Sequence, residues 1–170
     1  KFKGNQIGRS LIENNCETII DEILNTAKKY SCSIIYPEDV VVGKSMNDSP
    51  KIKEISKIEE DDLILDIGPK TVKKIQSILE LSKTVLWNGP AGYFENPDFA
   101  IGCYEIANKI IEMNKNNLIY SVAGGGDTIA VLNQINAIDN FNFVSTAGGA
   151  FLEYLEGKTL PGIKALNQNV

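Results

Sequence analysis

Histidine is absent from the 170 residues. That excludes nucleophile schemes needing an imidazole base and the usual zinc centres, leaving carboxylates, lysines, hydroxyls and backbone amides as the chemical inventory. Cysteine is scarce and odd in number. Cys16, Cys32 and Cys103 are widely spaced in apolar context, which argues for reduced, buried thiols over a disulfide framework or a metal knuckle. No apolar run approaches the roughly 18 residues of a membrane span, and no secretory h-region is present, so the expected compartment is the cytoplasm. An excess of positive charge is also missing. Acidic residues outnumber basic ones 22 to 17, which gives no support for sequence-independent binding to nucleic acid or to an anionic membrane. A small anion must therefore be held by local geometry.

The chain is 43% hydrophobic with charges of both signs dispersed, enough for one well-buried core, and it reads as one domain or part of one. Short apolar, β-branched runs at 33–43, 61–68, 84–89, 118–124 and 142–149 suit strands covered on both faces, as in a parallel sheet. Helical periodicity lies around and between them. In 96–113, Phe99, Cys103, Ile106, Ile110 and Met113 fall at spacings of three and four behind Asn96 as N-cap and Pro97 at the first helical position. Val72, Ile75 and Leu79 share a face in 70–82, as do Ile20, Ile23, Leu24 and Ala27 in 17–30, and Ser10 with Glu13 has the spacing of a capping box. The polar interval 43–61 reads as a surface excursion. Strand then helix, repeated, predicts an α/β fold: a Rossmann-like, doubly wound parallel sheet in three α/β/α layers.

In such a sheet ligands lie beyond the carboxyl ends of the strands. Three consecutive strand ends carry glycine: "NGPAGYFENP" from Asn88, "GGGDT" from Gly124 and "AGGA" from Ala147. A glycine pair opening a helix lets backbone N–H groups approach an anion unobstructed, and the helix dipole favours the negative charge. Asp127 would repel a phosphate there unless a cation intervened, so a carboxylate at this place suits a Mg²⁺ ligand, and Thr128 offers a hydroxyl to a phosphate oxygen. The plainer alternative is a tight turn with Asp127 as N-cap. Two decoys fall away: "GKS" at 43–45 and "GKT" at 157–159 lack the upstream glycine of a P-loop, having Glu38 and Leu152 there. The triple glycine is no dinucleotide fingerprint either, because Ile129 stands where a third glycine or alanine belongs.

Taken in order, "GNQIGRSL", "YPEDVVV", "LDIGPKT", "WNGPAGYFE", "GGGDT" and "STAGGAFLEYLEGKTLPG" resemble the C-terminal, nucleotide-binding half of the phosphoglycerate kinases. The resemblance covers nearly all of residues 1–170 and implies a partial C-terminal domain lacking its first strands, with the N-terminal phosphoglycerate-binding domain absent. It implies reversible, Mg²⁺-dependent phosphoryl transfer in glycolysis, between 1,3-bisphosphoglycerate with ADP and 3-phosphoglycerate with ATP, by an enzyme that is a monomer when complete. Carried over by position, Asp127 matches the metal–nucleotide ligand, and Gly124, Gly125, Gly126 and Thr128 surround the nucleotide phosphates. Glu95 takes the ribose hydroxyls, Asn88 is a phosphate-side contact, Pro90 a wall of the nucleoside pocket, and Leu11, Leu65 and Tyr93 are apolar positions around the adenosine. Gly148 and Gly149 face the phosphoryl group in transit. Leu11 and Leu65 read equally as core, Trp87 as core, and Glu153 and Glu156 as a solvated face. The sequence departs from the family at Ala147, where a glycine is usual; positive φ there would cost alanine about 1 kcal/mol. The portion present is expected to be inactive alone, and the alternative reading is a non-catalytic nucleotide-binding or interaction module.

Overall fold

The computed structural model describes residues 1–167. The chain divides into two compact units, Lys1–Ser77 with Ala91–Gly102, and Ile78–Pro90 with Cys103 onward.

In the first unit, β1 (Asp39–Gly43) is flanked by β2 (Lys51–Glu54) and β3 (Leu63–Ile67), and both pairings are antiparallel. The interval expected to be a surface excursion thus contains a strand. Its sequence, K-I-K-E, hides it: the one apolar side chain, Ile52, is exposed, and the lysines blunt a free sheet edge. The run beginning at 33 becomes strand only from Asp39, past Pro37, which has no N–H for a ladder. Val40, Val42 and Ile58 form the core here, with Ile55 and Ile64 packed against them. Helix α1 (Glu17–Lys29) forms as its periodicity predicts but buries no residue; Ile20, Leu24 and Ala27 are half-buried and Ile23 is exposed. The Ser10–Glu13 capping box is overturned. Helix α1 begins at Glu17, and the Ser10 hydroxyl instead accepts from the Ile64 N–H at 2.9 Å.

Two buried carboxylates organise this unit. Asp39 caps α2 (Pro69–Leu81) from a distant strand, accepting from the N–H groups of Lys70 and Thr71 at 3.0 and 2.8 Å and from the Thr71 hydroxyl at 2.8 Å. Burial raises its pKa, but these donors outweigh that and leave it below the usual value. Asp62 is equally buried and is paired with Lys53 at 2.7 Å and Lys44 at 3.0 Å. Here too burial pushes up, and the two lysines with the Glu59 N–H bring the carboxyl down to about 2. Arg9 bonds to the carbonyls of Asp61 and Lys44, and its N–H to the Asp62 carbonyl, so the stretch before Leu11 is clamped to this cluster.

In the second unit, β4 (Thr84–Asn88), β5 (Tyr120–Gly124) and β6 (Phe143–Ser145) form the expected parallel sheet in that order. The helix expected over 96–113 is divided: a 3₁₀ turn at Pro97–Phe99, which belongs to the first unit, then α3 (Ile101–Lys115), which lies in the second from Cys103 on. Asn96 caps the turn as predicted, accepting from the Asp98 N–H at 3.0 Å, and Pro97 follows it. Cys103, Ile106, Ala107, Ile110 and Met113 are buried along one face of α3, each large apolar side chain contributing about 1.5–3 kcal/mol. Trp87 is core, its ring 6.3 Å from that of Phe141. After β5 comes α4 (Gly126–Gln134), after β6 α5 (Gly149–Leu155), and then α6 (Pro161–Asn167). None of the three cysteines forms a disulfide among the described residues, but only Cys103 is buried; Cys16 is half-buried and Cys32 exposed, which corrects the expectation for both. Each lies in or beside the sparsely covered α1 segment, where apolar neighbours in sequence do not amount to burial in space.

Candidate functional site

The strand ends of the second unit carry the densest set of expected site residues. Asn88 closes β4 directly across the ladder from Gly124, the last residue of β5. The three glycines that follow serve three different physical needs. Gly124 is buried beneath Phe151 of α5, and a Cβ there would lie 2.5 Å from the ring. Gly125 caps α4 with φ +90°, and a Cβ on it would also meet the Asn88 Oδ1 at 2.8 Å. Gly126, the first helical residue, is exposed with open space where a Cβ would sit. The free N-terminal amides of α4 are therefore reachable from solvent, and Asp127 stands exposed in that first turn.

Thr128 is turned inward. Its side chain is 0% exposed, and its Oγ1 accepts from the Gly89 N–H at 2.7 Å. Gly89 itself adopts φ +91°, and its carbonyl accepts from the Trp87 Nε1–H at 2.8 Å. Pro90 follows, half-buried.

After β6, Gly148 is the left-handed residue, φ +55° and ψ −132°, and caps the seven-residue α5 whose first residue is the exposed Gly149. Ala147 is not in the positive-φ region, so the alanine at this position carries no backbone penalty. Glu153 and Glu156 are exposed, Glu156 paired with Lys158 at 2.5 Å, in keeping with a solvated face.

The remaining expected residues lie in the first unit. Leu65 is buried in β3, and its carbonyl accepts from the Tyr93 N–H at 2.6 Å, which lays the Tyr93 backbone along the strand. Tyr93 is half-buried, Glu95 exposed, and Leu11 99% exposed. Leu11 is not core in this unit; it is an apolar side chain presented to solvent just past the Arg9 clamp.

Sequence reasoning missed Asp66. It is 2% exposed and accepts from the Gly102 N–H at 2.7 Å and the Ile67 N–H at 2.8 Å, while Gly92 and Gly102 both leave room for its carboxylate. It thus bonds to the Gly102 end of the segment that carries Tyr93 and Glu95 and lies against its Gly92 end. Burial pushes its pKa up to about 6 against the lowering effect of those two N–H groups. Its partners lie 36 residues away and one residue away, and neither spacing has a sequence signature. The carboxylates of Glu59, Asp61 and Asp62 approach one another closely enough to chelate a cation, but Lys44 and Lys53 already occupy them.

What fold and site define together is an α/β protein whose parallel strands end in glycine-rich helix starts, with a carboxylate at one of them. The phosphoglycerate kinase family model matches residues 1–158. A phosphoglycerate kinase of Azorhizobium caulinodans is 44% identical over 168 residues, 98% of this chain and 42% of that protein. One of Zymomonas mobilis is 45% identical over 166 residues, 96% of this chain and 42% of the other. Among solved structures, phosphoglycerate kinase from Coxiella burnetii superposes with a TM-score of 0.90 at 36% identity, covering 99% of this chain and 43% of that one. That from Pyrococcus horikoshii gives a TM-score of 0.71 at 29% identity, with 98% and 41% covered. The chain belongs to the phosphoglycerate kinase family. It spans about two fifths of the length of the relatives it matches.

Proposed function

We propose that this chain carries the Mg²⁺–nucleotide side of a phosphoglycerate kinase, an enzyme that transfers a phosphoryl group reversibly between 1,3-bisphosphoglycerate and ADP in the cytoplasm. The observation that carries the reading is Asp127: an exposed carboxylate in the first turn of a helix whose N-terminal amides are open at Gly126. The amides favour an anion, and the carboxylate opposes one, so the pair makes chemical sense around a phosphate that arrives with a cation. Mg²⁺ is held in such sites by one or two carboxylates together with phosphate oxygens and water, which a single Asp127 fits. The metal would neutralise charge on the phosphates of the nucleotide.

The chain's own residues then divide the work. Gly125 and Gly126 let the phosphates approach the α4 amides, and the Asn88 amide flanks them. Glu95, acceptor-only when ionised, takes ribose hydroxyls, while Tyr93, Pro90, Leu65 and Leu11 supply apolar surface to the nucleoside. The Leu11 exposure supports this, because an apolar side chain on a clamped segment gains from a ligand that covers it. Gly148 and Gly149 offer amides to the equatorial oxygens of the phosphoryl group. Phosphoryl transfer of this kind asks for positioning and charge stabilisation, not proton abstraction, which suits a chain without histidine.

The test is calorimetric titration of the chain with ADP, with and without Mg²⁺, beside Asp127→Ala. The expected result is saturable binding strengthened by Mg²⁺ in the wild type, with the Mg²⁺ dependence lost in the variant. Binding that ignores Mg²⁺ in both overturns the role of Asp127. The second reading is a module that holds nucleotide without turnover; binding without phosphoryl transfer is its signature.

A further inference from the structure

We infer that Thr128 is a positioning residue of the phosphate site and not a phosphate ligand: its buried hydroxyl holds Gly89, and through it Asn88, against the glycine-rich start of α4. The inference rests on reading that helix start as the phosphate site. A side chain with 0% exposure presents no face to a ligand arriving from solvent, and its Oγ1 already accepts from the Gly89 N–H at 2.7 Å. Gly89 needs holding. It sits at φ +91° with nothing within 4 Å of where a Cβ would be, so packing does not fix it. Its two flanking peptides are fixed by hydrogen bonds instead, one to the Thr128 Oγ1 and the other from the Trp87 Nε1–H at 2.8 Å.

The consequence falls on the neighbouring side chain. Asn88 is exposed at the end of β4, beside the peptide that Thr128 grips, and its Oδ1 lies 2.8 Å from the Cβ position of Gly125. A slack Gly89 lets the Asn88 amide drift from the α4 amides, which removes one preorganised group from the anion site. Only a hydroxyl at 128 can do this: valine has the same shape with no acceptor, and serine keeps the oxygen.

The experiment is amide hydrogen exchange at Gly89 by NMR, without nucleotide, in the wild-type chain, Thr128→Val and Thr128→Ser, together with Mg-ADP titration of each. Gly89 is protected in the wild type before any nucleotide is added; exchange there at the rate of an exposed glycine overturns the brace, whatever becomes of the variants. In Thr128→Val, exchange at Gly89 rises about tenfold and ADP affinity falls about tenfold, the scale of one buried hydrogen bond, and Thr128→Ser restores both. Lost affinity with Gly89 protection intact in the valine chain makes the hydroxyl a direct ligand and overturns the inference. No ADP binding by a wild-type chain with Gly89 protected overturns the phosphate-site reading, and with it the positioning role, while leaving the hydrogen bond in place.

Discussion

At the scale of single residues, the triple glycine separates into jobs that respond differently to one added methyl group. Gly125→Ala forces an L side chain to φ +90° and drives a Cβ to 2.8 Å from Asn88, so stability falls by about 1–2 kcal/mol and ADP binding weakens with it. Gly126→Ala meets open space in a helical residue and gains a few tenths of a kcal/mol in helix propensity. Its Cβ nonetheless stands where a phosphate would approach the amides, so affinity drops while the urea midpoint holds or rises. Measuring midpoint and affinity side by side for the two variants checks this; equal loss of stability in both denies the division of labour. The motif was legible in sequence as a glycine-rich helix start with a carboxylate in its first turn. Which glycine serves packing, which serves φ and which leaves the helix amides open was not, because that depends on Phe151, 27 positions after Gly124 in the numbering, and on Asn88 from another strand.

At the scale of elements, two helices are capped by carboxylates from strands, and their pKa directions are opposite. Asp39, at the start of α2, has donors enough to stay below the ordinary carboxylate range; Asp66, at the start of α3, is raised to about 6 and has no charged partner among the described residues. The signs follow from linkage. A raised folded-state pKa contributes stability that is fully present below about pH 4 and is lost as pH climbs through about 6; a lowered one contributes stability present above about pH 4 and lost as pH falls. Asp66 therefore makes the chain less stable at pH 7.5 than at pH 4.5, by on the order of 2–3 kcal/mol if nothing else titrated. Asp39 and Asp62, the latter near 2, make it fail on further acidification. Urea midpoints between pH 3 and 8 should pass through a maximum near pH 4–5, and Asp66→Asn should flatten the alkaline side. A slope unchanged in the variant assigns it to other groups. Asp66 also shows why elements were easier to read than their anchoring: the periodicity of 96–113 announced a helix, but the acid that caps it lies in β3.

At the scale of the whole molecule, two units each have their own sheet; the parallel sheet that the sequence led us to expect is in the second, and the first adds an antiparallel one. The alternation of strands and helices, the five main apolar runs and the glycine-bearing strand ends were all visible, and they fixed the α/β class. Strand direction was not, because an apolar run of five residues fits either pairing and direction is settled by partners distant in sequence. If the chain carries the nucleotide side of the site, as proposed, joining it to the other three fifths of the Azorhizobium relative should give phosphoryl transfer between 1,3-bisphosphoglycerate and ADP. Turnover by the 170-residue chain itself would remove the expectation that it is inactive in isolation. Composition and local order by themselves determined the chemistry available here: no imidazole, no cationic field, glycines at strand ends, an acid at a helix start, and six motifs in series that name a family. Tertiary structure alone decided which side chains face solvent and which are held inside, sending Thr128 inward, Leu11 outward and Asp66 beneath its loop. Exposure and hydrogen-bond partners are properties of surfaces brought together across tens of residues, and no local pattern encodes them.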